Sequence, residues 1–420
     1  RCTSFSVHLS VAEMTCQRSE RIIQEVVVDQ PYQFVPPHRG GLLPRLLGNL
    51  LIPRLLRQRY GIVDSEVHGA DKIRAAIDAG HGILITPNHP RPADPMALYP
   101  LCQATQSLFY AMASWHIFME GKLQRFVIRM MGAFSIYREG MDRASLQCAM
   151  EILEKAERPL VIFPEGAVSR TNDLLNPLME GISTIARGAA RKRAAGDGGK
   201  VVIFPLAFRY HFEGNIEETL EPVLSQIEQR LSWAPQQQLN LLQRIRRVGV
   251  ALLGLKEIEH LGATQSGDLF ARVDRLIDHL LHPLEEEWLD GPQSGGVVKR
   301  SKNLRRVILK GMVSGDIEDS ERERRWQQFS ALYLAQQLSL YPRGYLSEDS
   351  PVERLLETVE RFEEDLTDVA RPYPPQRVTL HVCDPIEVPA EKVRGEDLLM
   401  QQVESSLKAA LGLSKDGTAG

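Results

Sequence analysis

Three short apolar runs, each of which ends abruptly, constrain the fold of this chain most strongly. They are Gly82 to Thr86, Pro159 to Pro164 and Val201 to Phe208. Continuous apolar runs of this length with β-branched residues are typical of strands that are buried on both faces of a parallel sheet. Segments with helical periodicity lie between these runs. The chain therefore predicts an α/β fold with a mostly parallel central sheet flanked by helices.

Further elements follow from periodicity and from turn residues. Helices are predicted at 70–79, 95–102, 121–131, 142–156, 177–194 and 395–411, and strands at 107–113 and 377–383. Residues 216–370 have an almost entirely helical pattern, with linker chemistry at 290–296. Because the late strand needs a sheet to join, we interpret the helical stretch as a large all-helical insertion before the last strand of the core.

The length of 420 residues exceeds that of one ordinary domain, so a second unit or a large insertion is expected. No internal repeat is apparent. The predicted parts are an N-terminal extension at 1–63 with an amphipathic membrane-proximal segment at 42–56, an α/β core at 64–215, a helical insertion at 216–375, a returning core strand at 376–392, and a C-terminal helix and tail at 393–420.

Composition excludes several classes of protein. The formal net charge of -4 argues against a general nucleic-acid binder. The five cysteines are scattered and contain no CxxC pair, so neither a metal site nor a disulfide framework is expected, and a reducing compartment is favoured. No run is long and apolar enough for a transmembrane helix, and residues 1–20 do not have the pattern of a signal peptide.

The segment LLPRLLGNLLIPRLL at 42–56 has two interpretations. It is too short and too charged to cross a bilayer, but it suits the membrane interface, where its arginines would reach lipid phosphates. Alternatively, it is a helix on the protein's own core, broken by Pro44 and Pro53. The basic clusters at 244–247 and 299–306 are expected to be solvated helix faces, and the alternative is that they face lipid phosphates.

The first polar loop holds His89 and Asp94, directly after the strand at 82–86. A carboxylate beside an imidazole fixes its tautomer and leaves the other ring nitrogen free to take a proton from a hydroxyl. This pair is a general base with its orienting group, without a nucleophile of its own. The alternative is structural: Asp94 followed by Pro95 is also a helix N-cap pattern, and His89 would then bond to a backbone carbonyl.

Two later loops bring further polar groups. Arg138 lies in GAFSIYREG, and Glu165 with Gly166 follows the strand at 159–164. Ends of parallel strands share one sheet edge, so these groups are expected to converge with the His89 loop. A guanidinium suits phosphate or carboxylate, and a glycine lets backbone approach a ligand closely. The set fits transfer of an activated group onto a hydroxyl of a phosphorylated acceptor.

Four ordered motifs carry a family resemblance. They are Asn88-His89 with Asp94 in H-x4-D spacing, Gly132 to Arg138, Phe163-Pro164-Glu165-Gly166, and Pro205 in an apolar strand. Together they resemble the lysophospholipid acyltransferases, the glycerol-3-phosphate and 1-acylglycerol-3-phosphate acyltransferase-like enzymes. The resemblance covers residues 64–212, with a return at 377–389.

The resemblance implies an acyltransferase of phospholipid biosynthesis. It implies His89 as general base, Asp94 as its partner, and Arg138, Glu165, Gly166 and Arg170 as binders of the acceptor, a lysophospholipid or glycerol phosphate. The donor would be a fatty acyl thioester on coenzyme A or acyl carrier protein, with no cofactor or metal. The protein is expected to be cytoplasmic and peripherally attached to a membrane surface.

The chain departs from the family pattern in two loops. Arg91 stands where a Ser or Thr is usual, and Ala167 and Val168 replace the Thr and Arg of FPEGTRS. Arg170 or Arg91 is expected to replace the missing guanidinium, and Asn88 with Arg91 forms a candidate acceptor or oxyanion loop. A non-glycerol lipid acceptor, or a non-catalytic lipid-binding protein with the same fold, remains the alternative.

Overall fold

A single mixed sheet lies at the centre of the protein. The computed structural model describes residues 27–179, 181–196, 199–234, 236–313, 315, 317–367, 369–391 and 397–413. Within these ranges the strands are β1 (Ile62–His68), β2 (Gly82–Pro87), β3 (Tyr110–Ser114), β4 (Ala133–Ile136), β5 (Leu160–Val161), β6 (Val201–Phe212), β7 (Gln376–Val382) and β8 (Ile386–Glu387). Residues 1–26 of the predicted extension and the tail at 414–420 lie outside the described residues.

The strand order is β1-β7-β6-β2-β5-β3-β4, with β8 also beside β6. Strand β6 is antiparallel to β7 and β8, and the other pairings are parallel. The predicted α/β fold with a mostly parallel sheet is therefore confirmed. Strand β7 enters between β1 and β6, so the late strand does join the sheet.

Helices cover both faces of the sheet. They are α1 (Leu42–Tyr60), α2 (Ala70–Asp78), α3 (Asp94–Ala97), α4 (Tyr99–Ala104), α5 (Lys122–Met130), α6 (Arg143–Lys155), α7 (Gly181–Ala194), α8 (Ile216–Arg230), α9 (Leu241–Leu261), α10 (Leu269–Leu289), α11 (Val297–Val313), α12 (Asp319–Ser339), α13 (Val352–Thr367) and α14 (Leu398–Leu411), with a 3-10 helix at Trp115–Phe118. Helices α1 to α4 pack on one face of the sheet, and α6, α7 and α14 pack on the other.

The segment at 42–56 forms most of α1, and the expected breaks at its prolines do not occur. Pro44 lies in the first turn, where no intrahelical donor is needed. Pro53 lies on the exposed side of α1, where water can solvate the carbonyl that loses its partner. Ile52 and Leu56 face the core, so α1 does pack on the protein. None of the helices described is both long and apolar enough to cross a membrane.

Helices α8 to α13 lie between β6 and β7 and carry two apolar cores of their own. Three of the helix junctions repeat one arrangement, which corrects the absence of a repeat expected from the sequence. At each junction a buried Glu accepts from the guanidinium of an Arg in the next helix and from the backbone N–H of a Gln eight residues on. The three sets are Glu228, Gln236 and Arg244; Glu257, Gln265 and Arg272; and Glu285, Gln293 and Arg300.

This arrangement also corrects the prediction that the basic clusters are wholly solvated. The side chains of Arg244 and Arg300 are only 2% and 9% exposed, and each faces a carboxylate. Such a partner offsets the cost of removing a charged guanidinium from water.

Candidate active site

The loop after β2 is fastened to β6 by Asn88. This residue is fully buried. Its side-chain amide donates to the carbonyl oxygen of Phe208 at 3.1 Å, and its side-chain oxygen accepts from the Phe208 N–H at 2.7 Å. These paired bonds fix the point at which the chain leaves the sheet, so they set the position of His89, the next residue.

His89 and Asp94 are in direct contact. The imidazole Nδ1 lies 2.8 Å from the Oδ2 of Asp94, and the ring stacks on Phe163 with centroids 4.1 Å apart. The histidine side chain is 14% exposed. Among the described residues, no group hydrogen-bonds to Nε2 of His89. The structure therefore places together the two residues predicted as base and orienting group, with the second ring nitrogen unengaged.

The Asp94 carboxylate accepts hydrogen bonds from two further donors besides His89. Its Oδ2 also accepts from the Arg91 N–H at 3.0 Å, and its Oδ1 accepts from the Tyr210 hydroxyl at 2.5 Å. Helix α3 begins at Asp94, with Ala93 at the N-cap position and no side-chain capping bond, so the N-cap alternative does not describe this carboxylate. A buried carboxylate held by three donors can orient His89 accurately.

Tyr210 is a site residue that sequence reasoning missed. It lies on β6 two residues beyond the predicted end of that strand. Burial, together with the adjacent Asp94 carboxylate, raises the pKa of Tyr210 well above its ordinary value. The hydroxyl thus stays protonated and remains a donor to Asp94. The only sequence signal was the alternation of apolar and polar residues that continues from 208 to 212.

The carboxylate of Glu165 holds the His89 loop through hydrogen bonds to backbone amides. One carboxylate oxygen accepts from the His89 N–H at 2.7 Å and the other from the Asn176 N–H at 3.0 Å. Burial raises the pKa of Glu165 to about 7, although these two amides act in the opposite direction. Both oxygens are therefore engaged in positioning the backbone of His89.

Arg138 and Gly166 meet where the loops after β4 and β5 converge. The guanidinium of Arg138 donates to the carbonyl oxygen of Gly166 at 2.5 Å. Gly166 has φ of +69°, and a Cβ at this position would lie 2.9 Å from the sulfur of Met179. A side chain here would be strained and crowded, so glycine is required for this turn.

The predicted oxyanion loop uses several of its own donors. The backbone amides of Asn88, His89 and Arg91 donate to the Leu206 carbonyl, to Glu165 and to Asp94. An oxyanion role for this loop stays a prediction.

The part of the chain that contains these loops is similar to a known family. Residues 64–209 match the family model described as Acyltransferase. This stretch contains His89, Asp94, Arg138, Glu165 and Gly166. No curated protein matches the chain. The match to this acyltransferase domain supports a general acyltransferase function.

Helix α13 of the helical insertion lies against the loops of the α/β core. Arg91 pairs with Glu360 at 3.0 Å, and Arg170 pairs with Glu364. Arg361 donates to the Ser169 carbonyl at 3.1 Å. An acceptor phosphate at Arg91 or Arg170 would have to compete with these carboxylates. The sequence did not signal this contact because acidic residues on an amphipathic helix usually indicate a solvated face.

Proposed function

We propose that this protein transfers a fatty acyl group from an acyl thioester to a hydroxyl of a lysophospholipid or glycerol phosphate, with His89 as the general base. The contact between His89 and Asp94 carries the proposal, because it leaves Nε2 available for an incoming hydroxyl. The match of residues 64–209 to the acyltransferase family supports the same chemistry.

The chemistry follows from this geometry. Nε2 of His89 takes the proton of the acceptor hydroxyl as its oxygen bonds to the thioester carbonyl carbon. Asp94 keeps the other ring proton on Nδ1 and stabilises the imidazolium that forms. The tetrahedral intermediate then loses the thiolate as the carbon–sulfur bond breaks, and the imidazolium returns the proton to that sulfur. The products are an ester and a free thiol.

Arg138 is the guanidinium best placed to bind an acceptor phosphate. It donates to a neutral carbonyl and forms no ion pair with a residue in the described ranges, whereas Arg91 and Arg170 already face carboxylates. Its partner Gly166 directly follows Glu165, which holds the backbone of His89. A phosphate bound at Arg138 would therefore lie beside the loop that carries the base.

The acceptor can be identified by thiol release from palmitoyl-coenzyme A. We expect release to increase with lysophosphatidic acid or glycerol 3-phosphate and to stay at the hydrolysis background with monoacylglycerol, which has hydroxyls but no phosphate. If only the neutral acceptor increased thiol release, the acceptor would be a lipid without a phosphate, and the phosphorylated acceptor proposed here would be wrong. Absence of release with every lysolipid would contradict an enzyme and favour a lipid-binding protein.

The proposed substrates are lipids, so we propose that α1 docks the protein on the membrane surface. Leu42, Leu46 and Leu50 recur every fourth residue on its outer side and are 77%, 59% and 58% exposed. Arg54 and Arg57 lie on the exposed surface of the same helix. Such a helix buries its apolar side chains at the headgroup boundary while its arginines meet lipid phosphates.

Replacing Leu42, Leu46 and Leu50 together by Ser should lower binding to vesicles of phosphatidylglycerol and phosphatidylcholine at least about tenfold, since burial of one leucine is worth roughly 1.5–3 kcal/mol. Vesicle co-sedimentation measures this. The matched control is Leu255→Ser with Ile258→Ser, two side chains on α9 that are 51% exposed. Loss of binding in the control but not in the α1 variant would place the attachment on the insertion.

A further inference from the structure

Cationic side chains converge where α11 of the insertion meets the acyltransferase domain. We call Arg138, Lys302 and Arg305 the cationic cluster, and the neutral imidazole of His116 lies beside them. Arg138 is held by the Gly166 carbonyl, and the neighbouring Tyr137 packs against the apolar core of the insertion. His116 follows β3, with Nδ1 2.8 Å from the Ser114 hydroxyl oxygen. The charges of Arg138 and Arg305 act on His116, and both also act on Lys302, so the segments around 116 and 138 lie near α11.

Within the described residues, the cluster carries more positive charge than the neighbouring carboxylate of Glu139 balances. Arg138, Lys302 and Arg305 form no ion pair there, and the buried Nε of Arg305 has no hydrogen-bond partner there. Glu139 is the carboxylate that acts on Arg138 and Arg305. A buried donor without a partner costs free energy, which a bound acceptor group would recover.

Burial and neighbouring positive charges lower the pKa values of groups in and beside this cluster. Burial, with Arg305 as the next cause, lowers the pKa of Arg138 to about 10. Burial, with Arg138 and then Arg305 as further causes, lowers the pKa of His116 to about 4. The imidazole is therefore neutral at physiological pH, while the two guanidinium groups remain charged beside one another.

Most of the other buried arginines of the insertion have a carboxylate partner, and Arg361 donates to backbone carbonyls instead. Arg244, Arg272 and Arg300 each face a buried glutamate, and Arg91 and Arg170 of the acyltransferase domain face glutamates of α13. These guanidinium groups with a structural role thus have an acceptor within the protein, either a carboxylate or a backbone carbonyl. Arg138 and Arg305, in contrast, are two neighbouring guanidinium groups without an ion-pair partner in the described residues. Such an arrangement suits the binding of an anion from outside the protein.

We propose that Arg305 and Lys302 of the helical insertion complete, with Arg138, a binding site for a phosphate group of the substrate. This inference deepens the proposed acyl transfer and rests on it for the identity of the ligand. Phosphate occurs on a lysophosphatidic acid acceptor and on the nucleotide part of coenzyme A, and the cluster suits either.

The first test uses inorganic phosphate and the full chain, without turnover. We expect phosphate to raise the Tm of the wild type and of Lys310→Gln, an exposed control on the same helix, but not of Arg305→Gln. In phosphate-free buffer, Arg305→Gln should have the higher Tm, because it removes a half-buried charge that has no ion-pair partner in the described residues. A structural role for Arg305 predicts the opposite. A lower Tm in the variant, or the same response to phosphate in all three proteins, would overturn the proposal.

The second test identifies which substrate carries the phosphate. Charge-assisted hydrogen bonds are worth enough that Arg305→Gln should raise one KM by roughly tenfold or more, with a smaller change in kcat. A higher KM for lysophosphatidic acid assigns the site to the acceptor. A higher KM for acyl-coenzyme A, absent with an acyl-pantetheine donor that lacks the nucleotide, assigns it to the donor.

The two proposals can fail separately. If wild-type turnover requires His89 but Arg305→Gln leaves both KM values unchanged, the anion site is wrong and the acyl transfer stands. If the wild type shows no turnover with any lysolipid, the acyl transfer is wrong, and the response to inorganic phosphate still decides whether the cationic cluster binds an anion.

Discussion

Thiol release from an acyl thioester should fall about 10²- to 10⁴-fold in His89→Ala, the range that a positioned general base contributes. The structure shows no other imidazole beside Asp94 within the described residues, so no second base can replace His89. The side chain is partly exposed and its backbone amide bond to Glu165 is retained in the variant. The variant should therefore fold normally.

Asp94→Asn tests the orienting role in the same assay. The substitution keeps the size of the side chain but removes the charge that stabilises the imidazolium, so we expect kcat to fall with a smaller change in KM. His68→Ala is the control, because that ring lies on the exposed side of an edge strand. For the first prediction, activity of His89→Ala within a few fold of the wild type would contradict the role of His89 as general base.

The sheet could be predicted from the sequence where its strands are buried on both faces. All six residues of β2 are buried, and such a run is apolar throughout. Strand β1 was missed because it is an edge strand, where Asp64, Ser65 and Glu66 interrupt the apolar pattern. Strand β5 pairs over only Leu160 and Val161, although the apolar run continues to Pro164. An apolar run in the sequence indicates that its residues are buried, and the residues after Val161 stay largely buried although they no longer pair with a neighbouring strand.

The site could be predicted only in its local part. His89 and Asp94 are five residues apart, so a short loop suffices to join them, and their contact follows from the local sequence. Tyr210 lies 116 residues from Asp94, and Glu360 lies 269 residues from Arg91. Contacts across such separations depend on how the helical insertion packs on the domain. The spacing of residues along the sequence therefore does not predict these contacts.

The buried ion pairs of the insertion should have the largest effect on stability. Glu257→Ala is expected to lower the free energy of unfolding by about 3–5 kcal/mol, because it leaves the Arg272 guanidinium without its carboxylate. Glu257 is fully buried, Arg272 is 11% exposed, and their closest contact is 2.6 Å. The substitution also removes the acceptor of the Gln265 N–H, which closes the junction between α9 and α10.

Urea unfolding of single and double variants measures this coupling. Lys256→Ala is the control: its exposed pair with Glu259 should contribute no more than about 1 kcal/mol. Replacing Glu257 by Leu together with Arg272 by Met should restore most of the loss, because no buried charge is then left unpaired. A double variant as unstable as Glu257→Ala would show that packing, not charge pairing, holds this junction.

The pH dependence gives an independent check on the same pair. The hydrogen bond from Arg272 lowers the pKa of Glu257 below its ordinary value. A carboxyl whose pKa is lowered by folding stabilises the native state above its unfolded pKa, and this stabilisation is lost as the pH falls through the lowered value. The difference in unfolding free energy between the wild type and Glu257→Ala should therefore be largest near neutral pH and should shrink in acid. A difference that is constant from neutral to acidic pH would mean that the ionised pair is not what Glu257→Ala removes.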